Sequence, residues 1–215
     1  MPGAVKPRRS YDSPRRREQA SATRRAILQA ARELFVANGY VGTTIEAIAA
    51  RANVSPETVY ATFKNKRSIL SRLLDVSMAG DDAPVPILER SWVQEMRDEP
   101  DPQRRLRVLA RNGRSILERT APIHEVLRGA AAADPQIASL WELNKAQRYA
   151  GQRELLRILA GRSPLREGLT AKAAADILFT IGSPETYRLL VVDRGWSADL
   201  WERWYAETLA RLLFA

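Results

Sequence analysis

Residues 43–63 read Thr-Thr-Ile-Glu-Ala-Ile-Ala-Ala-Arg-Ala-Asn-Val-Ser-Pro-Glu-Thr-Val-Tyr-Ala-Thr-Phe, and this stretch decides the fold. Ile45, Ile48, Ala49 and Ala52 recur at helical spacing and form one inward face. Thr43, with Glu46 three residues on, is the pattern of a capping box, so the spacing predicts a helix that starts at Thr43. Asn53 tolerates the left-handed conformation of a tight turn, and Val54 can plug the corner. Ser55 is a capping residue and Pro56 suits the first helical position, where a missing N–H costs nothing. Val59 and Phe63 then point inward, leaving Glu57, Thr58, Tyr60, Ala61 and Thr62 on or near the outer face. Two short helices joined this way form a helix-turn-helix, a device for placing the second helix in the DNA major groove.

The flanking sequence supplies a scaffold and a charge. Ile27, Ala31, Leu34 and Phe35 predict a helix over 21–38 that stops at Asn38-Gly39. A fourth helix begins near Asn65 or Lys66 and turns Ile69, Leu70, Leu73 and Leu74 inward. Lys64, Lys66 and Arg67 crowd its start, where cations oppose the helix dipole, and a nearby phosphate would account for them. Residues 1–20 combine three prolines with Lys6, Arg8, Arg9, Arg15, Arg16 and Arg17, and read as a basic flexible arm. Residues 1–72 hold 14 basic and 5 acidic side chains, whereas 73–215 hold 20 of each, so the whole formal charge of +9 sits at one end. Such asymmetry points to a polyanion partner.

Gly80 to Pro86 is a break, which divides the chain into a head over 21–81 and a second domain over 82–215. Beyond it the patterning is helical throughout. Helices are expected over Ser91–Glu99, Pro102–Thr120, Pro122–Ala133 and Pro135–Ala160, then from Thr170, and finally over Trp196–Phe214. Gly182-Ser183-Pro184 should interrupt the helix that begins at Thr170, and Ser183-Pro184 can restart it. No strand pattern and no internal repeat is visible, so the fold class is all-α.

Composition narrows the function. The chain has no cysteine, which excludes disulfides, thiolate metal sites and cysteine nucleophiles and fits a reducing cytoplasm. No apolar run approaches the ~20 residues of a membrane helix. His124 is the single histidine, no acidic cluster joins it, and no nucleophile motif or phosphate-loop glycine pattern is present. An enzyme is disfavoured, and no metal or cofactor is expected.

Over Thr23 to Leu74 the chain resembles the TetR family of bacterial transcriptional repressors. The markers are Arg24 to Phe35 with Gly39, then Thr44, Ile48-Ala49, Val54-Ser55, Thr58-Val59-Tyr60, Phe63 and Lys66. Ala61 and Thr62 stand where many members have a bulky aromatic and a histidine, and Asn53 where many have glycine. The first departure removes two usual phosphate contacts and shifts the expected grip towards Lys64, Lys66 and the arm. The resemblance implies a homodimer with DNA contacts at Thr44, Ser55, Glu57, Thr58, Tyr60, Thr62 and Lys66. Glu57 could accept from a cytosine amine or merely cap its own helix. A small-molecule pocket is implied in the middle helices, with Trp92, Leu109, His124, Trp141, Tyr149 and Phe179 as candidates. A dimer interface is expected over 170–215, with Leu189, Leu190, Trp204, Leu209 and Leu212 as its apolar stripe. The function expected is a repressor released from a double-stranded operator by a small-molecule effector. The alternative is a constitutive or architectural DNA-binding protein without a sensor site.

Overall fold

A computed structural model describes residues 14–81 and 85–214. Ten α-helices occupy them, with no strand beyond an isolated bridge between Leu165 and Phe214. No helix among the described residues is long and apolar enough to cross a membrane. Four helices build the head: α1 (Pro14–Asn38), α2 (Ile45–Arg51), α3 (Pro56–Phe63) and α4 (Lys66–Ala79). Six build the second domain: α5 (Ser91–Asp98), α6 (Pro102–Ala131), α7 (Pro135–Ala160), α8 (Ala171–Ile181), α9 (Pro184–Tyr187) and α10 (Ala198–Leu213).

The helix starts follow the chemistry of their caps. Ser55, Asn65, Asp101, Asp134, Thr170, Ser183 and Ser197 each accept a backbone N–H from the first turn they precede. Gly80 ends α4 in the left-handed conformation (φ +85°) that a side chain would resist. Gly182 ends α8 against the Tyr205 ring, where a Cβ would collide with the phenol oxygen.

Three differences from the sequence reading exceed a residue or two. The first helix starts at Pro14, seven residues before the expected 21, because Pro14 suits a first helical position and Arg, Glu, Gln and Ala propagate a helix. Residues 14–20 of the expected arm are therefore helical, and its residues 1–13 lie outside the described residues. The helices expected over 102–120 and 122–133 are one 30-residue helix, α6, with Pro122 inside it. The helix expected to restart at Ser183 runs as α9 only to Tyr187 and continues as a wider π turn over Arg188–Asp193.

Pro122 marks a change of allegiance along α6. Before it, Leu106, Leu109, Leu117 and Ala121 pack into one core with Val93, Leu156, Leu178, Trp201 and Leu209. After it, Ile123, Leu127 and Ala130 pack with Ile137 into the core of the head, among Ile27, Phe35, Ile48, Ile69 and Leu70. An internal proline costs about 3 kcal/mol. Burying each large apolar side chain contributes about 1.5–3 kcal/mol. Ile123 and Leu127, both fully buried, are enough to hold the helix through the defect.

Candidate nucleic-acid interface and ligand cavity

The head presents α3 outward. Val59 and Phe63 are buried beneath it, while Glu57, Tyr60 and Ala61 are exposed and Thr58 and Thr62 half-buried. Asn53 takes the left-handed turn (φ +53°) that swings α3 away from α2. The cap of α2 is Thr44, whose hydroxyl accepts from the Ala47 N–H at 3.1 Å, and not Thr43. Thr43 is buried and donates to the carbonyls of Gly39 (2.8 Å) and Leu34 (3.1 Å), satisfying the open end of α1. The cap thus moves by one residue and the expected capping box does not form, since the residue three beyond Thr44 is Ala47; the Thr43 hydroxyl is spent on the end of α1 instead. The Glu57 carboxyl is held below its ordinary range by hydrogen bonds from Ser55 and from its own backbone N–H. In the DNA-free molecule it caps the first turn of α3.

Lys66, expected to contact a phosphate, is turned inward. Its ammonium donates to the backbone carbonyls of Tyr40 and Thr43, both at 2.7 Å, and lies 4.4 Å from the centre of the Tyr40 ring. Burial pushes its pKa down. Two of its three N–H groups are consumed in tying the start of α4 to the α1–α2 turn. Lys64 and Arg67 beside it are exposed. With Arg24, which sits 5.4 Å from the Phe63 ring centre, they line an open basic groove between α1, α4 and α7.

The head is fastened to the second domain by two arginines. Arg32 of α1 donates to the Arg119 carbonyl (2.9 Å) and to the Ser77 hydroxyl (3.2 Å). Arg119 of α6 donates back to the Ser77 carbonyl (2.9 Å) and to the Ser115 hydroxyl (2.7 Å). The last turn of α4 is therefore gripped from both domains.

Beside that turn lies a cavity of about 470 Å³ between α4, α5, α6 and α7. Leu74 and Met78 of α4, Trp92 of α5, Leu109 and Ile116 of α6 and Leu155 of α7 give it an apolar wall. Of the six expected lining residues, Trp92 and Leu109 are there and four are not. His124 and Trp141 meet edge to face (6.0 Å) in the packing beneath the head. The Tyr149 hydroxyl bonds Asp176 at 2.9 Å, and its ring meets Phe179 edge to face at 5.5 Å, on the α7–α8 side. Aromatic pairing within the bundle has taken these rings, as it does most helix aromatics. The polar lining was not anticipated. It consists chiefly of Asn144, Gln147, Arg148 and Gln152 on α7 with Arg72 on α4. A signal for it does exist in the sequence. The inward stripe of α7 runs Ile137, Trp141, Asn144, Arg148, Gln152, Leu155, Leu159, and turns polar where a plain core stripe would stay apolar.

Burial, reinforced by the positive charge of Arg148, pushes His124 down to about 4, with Glu185 opposing. Between the ordinary value of 6.5 and about 4 the unfolded chain therefore binds a proton that the folded chain does not. This contribution to stability is intact above pH 6.5 and drains away as pH falls towards 4. The loss approaches about 1.4 kcal/mol per pH unit within that window. Urea unfolding of His124→Phe at pH 7 and pH 4.5 should show a flatter acid dependence than the parent. An unchanged dependence would mean that the imidazole is not held neutral.

The expected interface residues divide. Leu209 is fully buried in its own subunit's core, behind Trp201, and offers no surface. Leu190 and Trp204 are half-buried against the same core, Trp204 edge to face with Trp196 at 5.8 Å, and Leu212 is half-buried. Leu189 is 54% exposed, and Val192 on the same π turn is 65% exposed.

A short helix held clear of its scaffold by a capped turn is built for the major groove, and by class the chain is a helix-turn-helix transcriptional regulator. Residues 27–73 match the model of the bacterial regulatory proteins of the tetR family. Over 180 residues the chain is 31% identical to the helix-turn-helix-type transcriptional regulator YdeS of Bacillus subtilis (strain 168), spanning 83% of this chain and 84% of that one. It is similar in structure to NalD, the secondary repressor of the MexAB-OprM multidrug efflux pump in Pseudomonas aeruginosa (TM-score 0.69, 27% identity, 92% of this chain and 98% of that chain). It also shares its fold with the transcriptional regulator FadR of Bacillus subtilis in complex with stearoyl-CoA (TM-score 0.66, 21% identity, 86% of this chain and 96% of that chain). The chain belongs to the TetR family of transcriptional regulators.

Proposed function

We propose that this regulator is a homodimeric repressor that leaves its operator when a small molecule enters the cavity beneath α4. The observation that carries the reading is the double duty of α4. One side of it builds the head through Ile69, Leu70 and Leu73, and its later turns wall the cavity through Leu74 and Met78. A ligand that fits better when α4 is displaced shifts the population towards a conformer whose two heads miss successive major grooves, ~34–36 Å apart. A preference of a few kcal/mol between the two conformers suffices to switch occupancy. That NalD is a repressor supports the repressor reading, and that FadR was captured with a bound acyl thioester supports a sensor domain.

On this reading α3 reads bases through its exposed face, with Thr44, Ser55, Thr58, Tyr60 and Thr62 positioned for groove and backbone contacts. Lys64, Arg67 and Arg24 supply phosphate contacts in place of the inward-turned Lys66. The test is selection from a random duplex library with the full chain, followed by titration of the recovered site over a range of salt. A near-palindromic site is expected, with log affinity falling by about 0.9 per phosphate contact for each decade of salt. Failure to enrich any site at low salt would sink the reading.

A two-headed reader needs a second copy, since one short helix covers too few base pairs for a genomic site. The exposed pair Leu189 and Val192 lies in the region expected to meet it. Leu189→Arg with Val192→Arg is expected to halve the mass seen by light scattering. A doubly substituted chain that stays dimeric would move the interface elsewhere.

A further inference from the structure

Three polar atoms on α7 have no hydrogen-bond partner although they are buried: Asn144 Oδ1, Arg148 Nε and Gln152 Oε1. Their residues are spaced four apart, so they stand on one stripe about 12 Å long, and all three line the cavity. The Arg148 side chain is only 8% exposed, and it is anchored by Glu185 at 3.3 Å and by the Phe179 face at 4.4 Å. Buried polar groups are costly to leave unpaired, about 1–3 kcal/mol each, so a row of them marks a place where a partner is meant to sit.

The charge of the cavity narrows the partner. Its four charged side chains are each in an ion pair: Arg148 with Glu185, Arg72 with Asp75 at 3.9 Å, and Asp81 with Arg90 at 2.6 Å. A charged ligand would have to break one of these pairs or be buried without a counter-charge. Leu109, Ile116 and Met78 and the ring of Trp92 give the cavity its apolar contact area, with the Trp92 indole N–H as the one donor among these four side chains.

We propose that the cavity takes an uncharged, elongated amphipathic molecule whose apolar body lies on α5 and α6, with hydroxyl or carbonyl groups along one edge facing α7. This rests on the cavity being the effector site. Asn144 and Gln152 offer amide acceptors and donors, and Arg148 Nε offers one more donor, so the edge groups must both give and accept hydrogen bonds.

Three probes on one skeleton test it: naphthalene, 2,7-dihydroxynaphthalene and naphthalene-2,7-disulfonate, each titrated calorimetrically into the full chain. The diol is expected to bind about tenfold or more tighter than the hydrocarbon and than the disulfonate, the difference that one or two satisfied hydrogen bonds confer. Asn144→Leu combined with Gln152→Leu should bring the diol down to the hydrocarbon's affinity while leaving the hydrocarbon within about twofold. That pair adds apolar side chains to a half-buried stripe, and an unchanged thermal melt will show that it folds. Tightest binding by the disulfonate, equal binding of diol and hydrocarbon, or a double variant that keeps its preference for the diol would overturn the polar-edge assignment and leave the effector-site reading standing. No binding of any probe, together with operator binding that none of them disturbs, would overturn both.

Discussion

Lys66→Ala is expected to lower the stability of the head by about 2–4 kcal/mol, because the variant loses two hydrogen bonds from a charged donor and leaves two carbonyls without it. Those carbonyls belong to Tyr40 and Thr43, at the turn that positions α2. A lysine reaching a phosphate would behave otherwise: its loss would leave the melting curve alone and reduce the salt dependence of operator binding by about one contact. Denaturant unfolding and a salt series on the same variant separate the two roles. Lys66→Arg is not expected to rescue, since a planar fork cannot place two donors on these carbonyls from the site of a compact ammonium. If Lys66→Ala melts with the parent and loses salt dependence instead, the inward conformation belongs only to the free protein.

Arg105→Ala is expected to cost about 3–5 kcal/mol, because it removes hydrogen bonds from a charged donor and leaves buried carbonyls unpaired. Arg105 is 1% exposed, and its guanidinium reaches the carbonyls of Glu99 (3.1 and 3.2 Å), Leu159 (3.0 Å) and Pro100 (3.4 Å). It thereby stitches the α5–α6 turn to the end of α7. Burial pushes its pKa down, as a charge held by neutral carbonyls should be. Arg105→Met, which refills the volume without the donors, should recover only the packing part of the loss in urea unfolding. Full recovery by methionine would show that the carbonyls are satisfied without Arg105.

The head was legible because its signals are local. Caps, a left-handed Asn53 and an alternation of Ile48, Ala49, Val59 and Phe63 each act within one turn of chain. The same locality misled at Thr43. Thr43 and Thr44 are both competent caps, and only the distant end of α1 decides which one is spent there. The inward turn of Lys66 was hidden for a related reason: three cations at a helix start call for an anion, but two carbonyls 23 and 26 residues away engage one of them.

The second domain was legible as helices and not as a site. A tryptophan, tyrosine or phenylalanine on a helix carries no mark of whether it faces a void or another ring, and four of six candidates found partners instead. Leu209 was lost the same way, since the helical spacing that makes a stripe does not say which neighbour covers it. The polar residues interrupting the inward stripe of α7 were the better guide, because a core has no use for Asn144 or Gln152 without partners.

The four side chains that α6 and α7 lend to the head carry a consequence for exchanging modules. Ile123, Leu127, Ala130 and Ile137 sit at the floor of the head, yet they follow it in the chain by more than forty residues. A chimera that grafts residues 14–81 onto another family member's sensor domain would inherit a foreign floor, and its heads would be reset in angle even where every groove contact was kept. The transferable unit is the head together with the α6–α7 hairpin tip, roughly 123 to 137. Grafts that include it should keep both operator and response, whereas those cut at the chain break should keep the half-site preference but lose tight binding to the two-half-site operator.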